Sequence, residues 1–314
     1  MSDPQARRES SQREAPRLVS VVLAVRDQAR FLGDQIACLA AQDYRGDWEL
    51  VVADNGSSDG SARVAREAGR SVPALRVLDA SERRGASHAR NVGAAAAQGD
   101  LIAFCDADNQ ARPGWLRGMV AAAQSADIVT GRFMVNSLND PDRAAWVGVP
   151  PTHGPMRALQ FMPFASGGNS AYWSDVFARL EGFDEDLVAG EDVDISWRAQ
   201  LHGYRLGFAG EAVMDRRCPA RLSALLRQHW RYGRAAGMLV RRYRHIGIAH
   251  GLRHEVSLHW RVLRALPQSA RKRGGLGYSL GHAAAAGGRS LELLTGRGGG
   301  SAAIPAAARP ASPS

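Results

Sequence analysis

The first half of the chain alternates short apolar runs with segments of helical composition, and this alternation limits the fold more than any other feature. Leu18–Val25 is apolar and β-branched, as in a strand buried on both faces of a parallel sheet. Similar strands are predicted at 48–53, 74–78 and 101–105, with helices between them at 29–42, 61–69 and 86–98. Because strand and helix alternate at this spacing in βαβ units, we predict an α/β fold with a doubly wound, mostly parallel sheet.

The rest of the chain has weaker periodicity. After Pro113 we predict a helix, then a strand at 127–133, a return of ordered structure at 167–173 and a helix at 191–202. Residues 137–166 contain five prolines and no clear period, which indicates a long irregular segment of a kind that is usually functional. The predicted organisation is a disordered tail, an α/β domain, an Arg-rich helical extension and a second disordered tail, at residues 1–16, 17–215, 216–296 and 297–314.

The positive charge is concentrated in the last third of the chain. The whole chain has a formal charge of +9, and residues 216–273 alone hold fifteen Arg and Lys residues against one acid, Glu255. This polarity favours an anionic partner. Helices with Arg on one face and Trp and Leu on the other can lie on an anionic membrane surface, or they can pack on the α/β domain with a solvated basic face. We expect no nucleic-acid partner, because no recognition motif is present.

The chain shows no pattern typical of export or membrane insertion. No stretch approaches the ~18 consecutive apolar residues of a membrane-spanning helix, and the polar N-terminus lacks the apolar centre of a secretory signal. The three cysteines are far apart and have no metal-ligand spacing, as is typical of small buried side chains in a reducing compartment. We therefore predict a cytoplasmic protein, with a peripheral position at the inner face of the cell membrane left open.

Two carboxylates follow the fourth predicted strand. Asp106 and Asp108 come directly after the apolar run at 101–105. Ligands of a doubly wound sheet bind beyond the carboxyl ends of its strands, and extended residues two apart share a face. Hard carboxylate oxygens suit Mg²⁺ or Mn²⁺, which in turn bridge a diphosphate. The pattern indicates a metal–diphosphate site, although a polar turn that caps the next helix would have the same sequence.

Asp54 ends the second predicted strand, at the same edge of the sheet. A carboxylate there can accept hydrogen bonds from a base or from ribose hydroxyls. It can equally form the turn of the Gly/Ser-rich loop that begins at Asn55. The chain has neither G-x-G-x-x-G after its first strand nor G-x-x-x-x-G-K-[ST], which argues against a dinucleotide-dependent dehydrogenase and a P-loop NTPase.

Together, these blocks resemble the family 2 glycosyltransferases of the GT-A fold. The resemblance covers about residues 18–240 and rests on the order and spacing of the blocks. The blocks are VSVVLAV at 19–25, VVADNGSSDGS at 51–61, GASHARNVG at 85–93, GDLIAFCDAD at 99–108, GNSA at 168–171 with GFDE at 182–185, and GEDVDISWR at 190–198. The resemblance implies that the α/β domain transfers a sugar from a nucleotide-diphosphate sugar to a hydroxyl of a sugar or lipid-linked acceptor, with inversion.

The resemblance also implies which residues meet the nucleotide. Ala24, Val25 and Asp54 would line the nucleotide pocket, with Asp54 on the base. Arg90 and Asn91, at the start of the helix before the fourth strand, would face the nucleotide or its phosphates.

The same resemblance assigns the reacting groups. Asp106 would approach the ribose and share the metal, Mg²⁺ or Mn²⁺, with Asp108, and Asp192, next to Glu191, would be the catalytic base. Inverting transfer needs one base to take the proton of the acceptor hydroxyl, and the leaving diphosphate needs a cation more than a general acid. The alternative is that Asp192 only stabilises the start of a helix, as carboxylates near a helix N-terminus do.

A further segment, Gln228-His229-Trp230-Arg231-Tyr232, resembles the Q-x-x-R-W signature of some processive members, with Tyr in the final place. It would cover the leaving diphosphate or an acceptor sugar, with charge from Arg231 and a stacking face from aromatic residues such as Trp230. The alternative is an amphipathic helix with its aromatic residues packed inward and its arginines solvated.

Two departures from the family pattern bear on the site. Residues 24–27 read Ala-Val-Arg-Asp where relatives often have Tyr-Asn-Glu, so the pocket wall differs. Relatives often place a metal-binding His after the strand near 212–214, where this chain has Asp215-Arg216-Arg217. Three alternatives remain: Asp215 takes that place, an Arg replaces part of the metal's charge, or metal dependence is weakened.

Two other functions compete with this interpretation. The first is a nucleotidyltransferase of related sheet topology, although residues 25–29 lack the glycines that such enzymes usually carry after the first strand. The second is a degenerate, non-catalytic nucleotide-sugar-binding protein, which the missing His makes conceivable.

Overall fold

A computed structural model describes residues 12–148, 150–248, 260, 264, 271–272 and 274–296. The strands are β1 Leu18–Val25, β2 Asp47–Asp54, β3 Leu75–Asp79, β4 Leu101–Asp106, β5 Gln110–Ala111, β6 Ile128–Met134, β7 Arg157–Ala158, β8 Met162–Pro163, β9 Asn169–Trp173 and β10 Leu206–Asp215. The helices are α1 Ala29–Ala40, α2 Ser61–Ala68, α3 Ala86–Ala96, α4 Trp115–Ala123, α5 Pro141–Val147, α6 Ser174–Arg179, α7 Glu191–Leu201, α8 Leu222–Tyr243 and α9 Gly275–Thr295. The strands and helices predicted up to β4 are all present, within two residues of their predicted bounds.

One mixed sheet of eight strands organises the α/β domain, in the order β3-β2-β1-β4-β9-β6-β10-β5. The pairs β1–β2, β1–β4, β2–β3 and β6–β10 are parallel. β9 runs antiparallel between β4 and β6, and β5 is antiparallel to β10. The predicted doubly wound, mostly parallel sheet is confirmed. Because β9 is antiparallel, its first residue, Asn169, pairs with Cys105 at the edge where β4 ends.

An aromatic cluster fixes the segment that leads into α7. Phe104 of β4 lies 5.9 Å from Tyr172 of β9 and 5.2 Å from Phe183 (ring centroids). Phe177 of α6 lies 5.4 Å from both Phe104 and Phe183. All four rings are buried, and three of these four contacts are edge-on, a geometry that adds to the stabilisation from burial. The loop before α7 is therefore held against the strand that ends in Asp106.

Two sequence expectations about irregular segments need correction. The disordered tail predicted for 1–16 does not extend through residues 12–16, because Arg13 is anchored: its backbone N donates to Gln124 O (2.8 Å) and its guanidinium to Asp175 (2.9 Å). The segment 137–166 is not irregular throughout, since it contains α5 and the β7–β8 hairpin. Asp140 caps α5 by accepting from Arg143 N (2.9 Å), and Pro141 opens the helix, as the asymmetry of helix ends favours.

The Arg-rich extension packs on the α/β domain through α8. Leu239, Val240 and Tyr243 are buried in one cluster with Val193 and Trp197 of α7. The helices α8 and α9 pack so closely that a Cβ on Gly233 would lie 1.9 Å from Ala285 O. Glu292 of α9, which is buried, accepts from Arg234 (3.0 Å) and Arg241 (2.7 Å). Part of the positive charge is therefore neutralised inside the extension.

The predicted membrane contact through residues 241–273 falls mostly outside the described residues, as does the tail at 297–314. Of the helices that the structure describes, none is long and apolar enough to cross a membrane. An anionic membrane surface stays a prediction from the charge pattern.

Candidate active site

Three strands end side by side at the edge of the sheet where the sequence predicted a ligand. Parallel pairing places Val25 of β1 opposite Asp54 of β2, and Ala24 opposite Asp106 of β4. All four predicted residues therefore lie on adjacent strand ends, which is where open α/β sheets bind ligands.

Asp54 also forms the turn of the Gly/Ser-rich loop that begins at Asn55, which was the alternative role that its sequence position allowed. Its Oδ1 accepts from Ser57 N (3.0 Å), and Asn55 is held by Nδ2 donation to Arg83 O (2.8 Å) and by Gly85 N donating to its Oδ1 (2.9 Å). The turn holds Asp54 in one orientation at the strand end, so the local role and a nucleotide role are compatible.

Arg90 lies among three acidic residues, Asp106, Glu191 and Asp192. This buried guanidinium donates to Glu191 Oε1 (2.7 Å) and to Asp106 Oδ1 (3.0 Å), joining α3, α7 and the end of β4. Burial alone would lower the pKa of Arg90, but the charges of Asp106, Glu191 and Asp192 outweigh it and raise the pKa. Arg90 is thus a permanent cation that keeps two of the site carboxylates in place.

Asn91 holds the loop before α7. Its Nδ2 donates to Phe183 O (2.8 Å) and Glu185 Oε1 (2.9 Å), and its Oδ1 accepts from Phe183 N (2.9 Å). The amide is used at both ends in this way, and its contact with a nucleotide stays a prediction.

Asp192 lies in the first turn of α7 and connects to Asp106 through two glycines. Its Oδ2 accepts from Gly167 N (3.0 Å) and its Oδ1 from Val193 N (2.8 Å). The adjacent Gly168 touches Asp106, since a Cβ there would lie 2.0 Å from Asp106 Oδ2. The two carboxylates therefore flank one dipeptide, and only glycine fits beside Asp106.

The environment of Asp192 favours its protonated form more than is usual for an Asp. Burial, and then the neighbouring charge of Glu191, raise its pKa to about 6, against the lowering effect of Gly167 N–H and Arg90. Perturbed carboxylates of this kind are concentrated at functional sites. A carboxylate with such a pKa is a stronger base than an ordinary Asp and is still ionised at neutral pH.

Asp108 lies in the turn after β4. Burial and the charge of Asp106 raise its pKa to about 6, although Arg216 and Arg217 oppose the shift. Arg217 is fixed nearby, because its Nε donates to Asp108 O (3.1 Å) and its backbone N to Asn109 Oδ1 (3.0 Å).

The site residues fit a divalent ion only if atoms of the substrate supply the rest of its coordination shell. In the part of the chain that the structure describes, no group of three or more His, Cys, Asp or Glu side chains could hold a metal. Asp215 is bound to Arg112 through both oxygens (2.8 Å each) and to Ser137 (2.8 Å), so it is not free to complete a shell. Mg²⁺ is commonly held by one or two carboxylates plus substrate phosphates and water, and Asp106 and Asp108 suit that mode.

The segment 228–232 lies on α8, next to α9. Trp230 packs on α9, where a Cβ on Gly287 would lie 3.0 Å from its ring, and Arg231 is exposed on α8 with the half-buried Gln228 one turn before it. Tyr232 is 44% exposed, and desolvation and the charges of Asp192 and Asp106 raise the pKa of its phenol, against the opposing charge of Arg216. The final position of the signature could have identified Tyr232, but its rotation on the helix is not readable without the packing of α9.

Two family models match this chain. The model described as glycosyl transferase family 2 matches residues 20–180, more than half of the chain. The model described as glycosyl transferase family group 2 matches residues 101–273. The chain belongs to glycosyltransferase family 2.

Curated relatives carry the same class of activity in their names. This glycosyltransferase is 28% identical to the glycosyltransferase AglE of Haloferax volcanii over 226 residues, 69% of this chain and 72% of that protein. It is 29% identical to the pre-mycofactocin glycosyltransferase of Mycobacterium tuberculosis over 245 residues, 71% of this chain and 48% of that protein. The chain therefore spans about half the length of that second relative.

Solved structures of similar shape confirm the GT-A fold. The mannosyltransferase PcManGT from Pyrobaculum calidifontis, solved with GDP-Man and Mn²⁺, superposes with a TM-score of 0.61 at 20% identity, covering 90% of this chain and 89% of that one. S. aureus TarS 1–349 with UDP-GlcNAc superposes with a TM-score of 0.51 at 15% identity, covering 86% and 92%. The predicted family, fold and transferase class are confirmed.

Proposed function

We propose that this glycosyltransferase moves a sugar from a nucleotide-diphosphate sugar to an acceptor hydroxyl, with inversion, using Asp192 as the base and a divalent ion at Asp106 and Asp108. The observation that carries the proposal is that Asp106 and Asp192 flank the same Gly167–Gly168 dipeptide. The donor class is supported by neighbours of the same fold solved with GDP-Man or UDP-GlcNAc.

The donor would lie across the adjacent strand ends. Ala24, Val25 and Asp54 are the residues of this edge closest to β3, and they would receive the nucleoside. Asp106 and Asp108 lie at the next strand end, that of β4, and they would hold Mg²⁺ or Mn²⁺ there. When bound, the ion would supply positive charge that stabilises the departing diphosphate.

Asp192 would act on the acceptor, the second substrate of the reaction. It would take the proton of the acceptor hydroxyl as the acceptor oxygen bonds to the anomeric carbon and the bond from that carbon to the diphosphate oxygen breaks. Its backbone N–H partners hold it in place, and Arg90 keeps Glu191 engaged beside it. Tyr232 would form the wall against which an acceptor, a sugar or a lipid-linked sugar, is placed.

The pH dependence of transfer tests the role of Asp192. The base must be ionised, and its pKa in the free enzyme is raised to about 6. We expect kcat/KM to be constant above neutral pH and to fall about tenfold per pH unit below that pKa, since kcat/KM reports the free enzyme. Initial rates measured from pH 4.5 to 8.5 check this. A kcat/KM that stays constant down to pH 4.5, as a base with the ordinary Asp pKa of ~3.9 would give, would contradict the proposed base.

Asp108→Ala tests the metal role and separates the competing functions. With Mn²⁺ present, we expect hydrolysis of UDP-, GDP- or dTDP-sugars to fall about 10²-fold or more, because the variant loses one of the two carboxylate ligands. Asp43→Ala, which removes an exposed carboxylate, is the matched control. Donor hydrolysis that does not respond to Asp108→Ala would contradict the metal role.

The same assay distinguishes the rivals by their products. A nucleotidyltransferase would release pyrophosphate from a nucleoside triphosphate and a sugar phosphate, whereas the proposed enzyme releases a nucleoside diphosphate. A non-catalytic binding protein would show a thermal shift with a nucleotide sugar and no turnover.

A further inference from the structure

The two arginines after β10 are held rigidly at the mouth of the site. Arg216 N donates to Met134 O (2.7 Å), and its own carbonyl accepts from Asn139 Nδ2 (2.8 Å). Arg217 N donates to Asn109 Oδ1 (3.0 Å). Asp215, the residue before them, is drawn away by Arg112. These contacts fix the backbone of both arginines, and the Arg217 side chain reaches the turn that carries Asp108, where its Nε donates to Asp108 O (3.1 Å).

Both guanidinium groups are half-buried, and aromatic rings hold them in place. The Arg217 guanidinium lies 4.2 Å from the centroid of Phe31, and that of Arg216 lies 5.6 Å from the centroid of Phe133. Both charges oppose the rise in the pKa of Asp108.

Among the residues that the structure describes, no carboxylate lies within ion-pair distance of Arg216 or Arg217, whereas Arg90 and Arg112 nearby are both paired. A half-buried cation without a counter-ion is costly, and guanidinium groups match phosphate oxygens geometrically. Two guanidinium groups that lack a counter-ion among the described residues therefore form an anion-binding site next to Asp108.

We propose that Arg216 and Arg217 bind the diphosphate of the donor directly and supply part of the positive charge that a fully ligated metal ion would bring. The inference rests on the proposed nucleotide-sugar donor. It follows from the groups that the structure describes here: two carboxylates without a third metal ligand, and two guanidinium groups without a carboxylate partner. Nucleoside diphosphate binding therefore persists without a divalent ion and depends on the β-phosphate.

Calorimetric titration of the full chain with UDP, GDP, UMP and GMP, in EDTA and in Mn²⁺, tests this. In EDTA we expect wild type to bind UDP or GDP more tightly than the corresponding monophosphate. Arg216→Gln and Arg217→Gln each lower diphosphate affinity in EDTA by about 10- to 100-fold, the range of a charge-assisted hydrogen bond, and leave monophosphate affinity nearly unchanged. Arg227→Gln on the exposed face of α8 is the matched control.

The outcomes separate this inference from the proposed function. Diphosphate binding by wild type that is present with Mn²⁺ and absent in EDTA overturns the inference and leaves the proposed function standing. Equal loss of diphosphate and monophosphate binding in the Gln variants also overturns it, because the arginines would then act on the fold or the nucleoside. No nucleotide binding by wild type in either buffer overturns the proposed function and the inference with it. Arg216→Lys and Arg217→Lys, which keep the charge, recover part of the affinity.

Discussion

Replacement of Asp192 by Asn is expected to lower kcat for sugar transfer about 10²- to 10⁴-fold, the usual contribution of a positioned general base. Nucleoside diphosphate binding should stay within about twofold of wild type, because the loss is confined to deprotonation of the acceptor. The measurements are steady-state transfer with the best donor and calorimetric titration with the matching nucleoside diphosphate.

The substitution removes the charge of Asp192 and keeps one of its two acceptor oxygens. An Asn carbonyl can still accept from Gly167 N, which donates to Asp192 Oδ2 at 3.0 Å, whereas Val193 N loses its acceptor, Oδ1, at 2.8 Å. The folded pKa of Asp192 is raised above its ordinary value, so its ionisation costs folding free energy above about pH 6, and this cost disappears as the pH falls through that range. Asn carries no such charge, and the variant should be at least as stable as wild type at neutral pH.

Asp186→Asn is the matched control, because that side chain is 84% exposed and belongs to the loop just before α7. It should leave both rate and stability unchanged. If Asp192→Asn abolished binding of the nucleoside diphosphate, or lowered the melting temperature by many degrees, Asp192 would be a structural residue and the proposed base would be wrong.

Asp194→Ala is expected to have the largest effect on stability. Removing one partner of a buried ion pair costs about 3–5 kcal/mol of unfolding free energy, which is a large part of the stability of a typical domain. Asp194 is 0% exposed and accepts from Arg242 Nη1 (2.7 Å), Arg198 Nε (2.8 Å) and Tyr243 Oη (2.7 Å). Without the carboxylate, two cations and a hydroxyl would be left without their shared acceptor.

Equilibrium unfolding in urea, followed by circular dichroism, measures this loss. Asp186→Ala, which removes an exposed carboxylate, should change the unfolding free energy by less than about 0.5 kcal/mol. A double-mutant cycle of Asp194→Ala with Arg242→Met should show coupling of about 0.5–3 kcal/mol, because the two side chains share one network. A loss below about 1 kcal/mol for Asp194→Ala would mean that this network does not hold α7 to α8.

The contrast between Asp192 and Asp194 follows from their surroundings in one helix. Asp194 is enclosed by the cations of α7 and α8, and burial together with its charge raises the pKa of Tyr243, which keeps that phenol a donor. Asp192 meets only backbone N–H groups and has a like charge beside it. The first carboxylate is therefore suited to hold α8 in place and the second to accept a proton.

Much of the fold could be predicted from the sequence, because its signals are local. Apolar β-branched runs such as 18–25 and the turn residues at 54–60 determine where strands end, and strand ends determine where ligands bind. Strand order placed Asp106 and Asp108 at one edge, and the family resemblance implied that Asp192 belongs to the same site. The antiparallel direction of β9 was not readable, since a buried apolar strand looks the same in either direction.

The sequence by itself determined the elements up to β4, which family the chain resembles, and which acids stand at the strand ends, since each depends on neighbouring residues or on block order. Only the tertiary structure decided which partner each charge takes. Arg90 reaches Glu191 across 101 positions, Arg112 takes Asp215 across 103, and Arg216 keeps no ion-pair partner among the described residues. A sequence records which side chains are charged, but the pairing depends on which faces of distant elements meet.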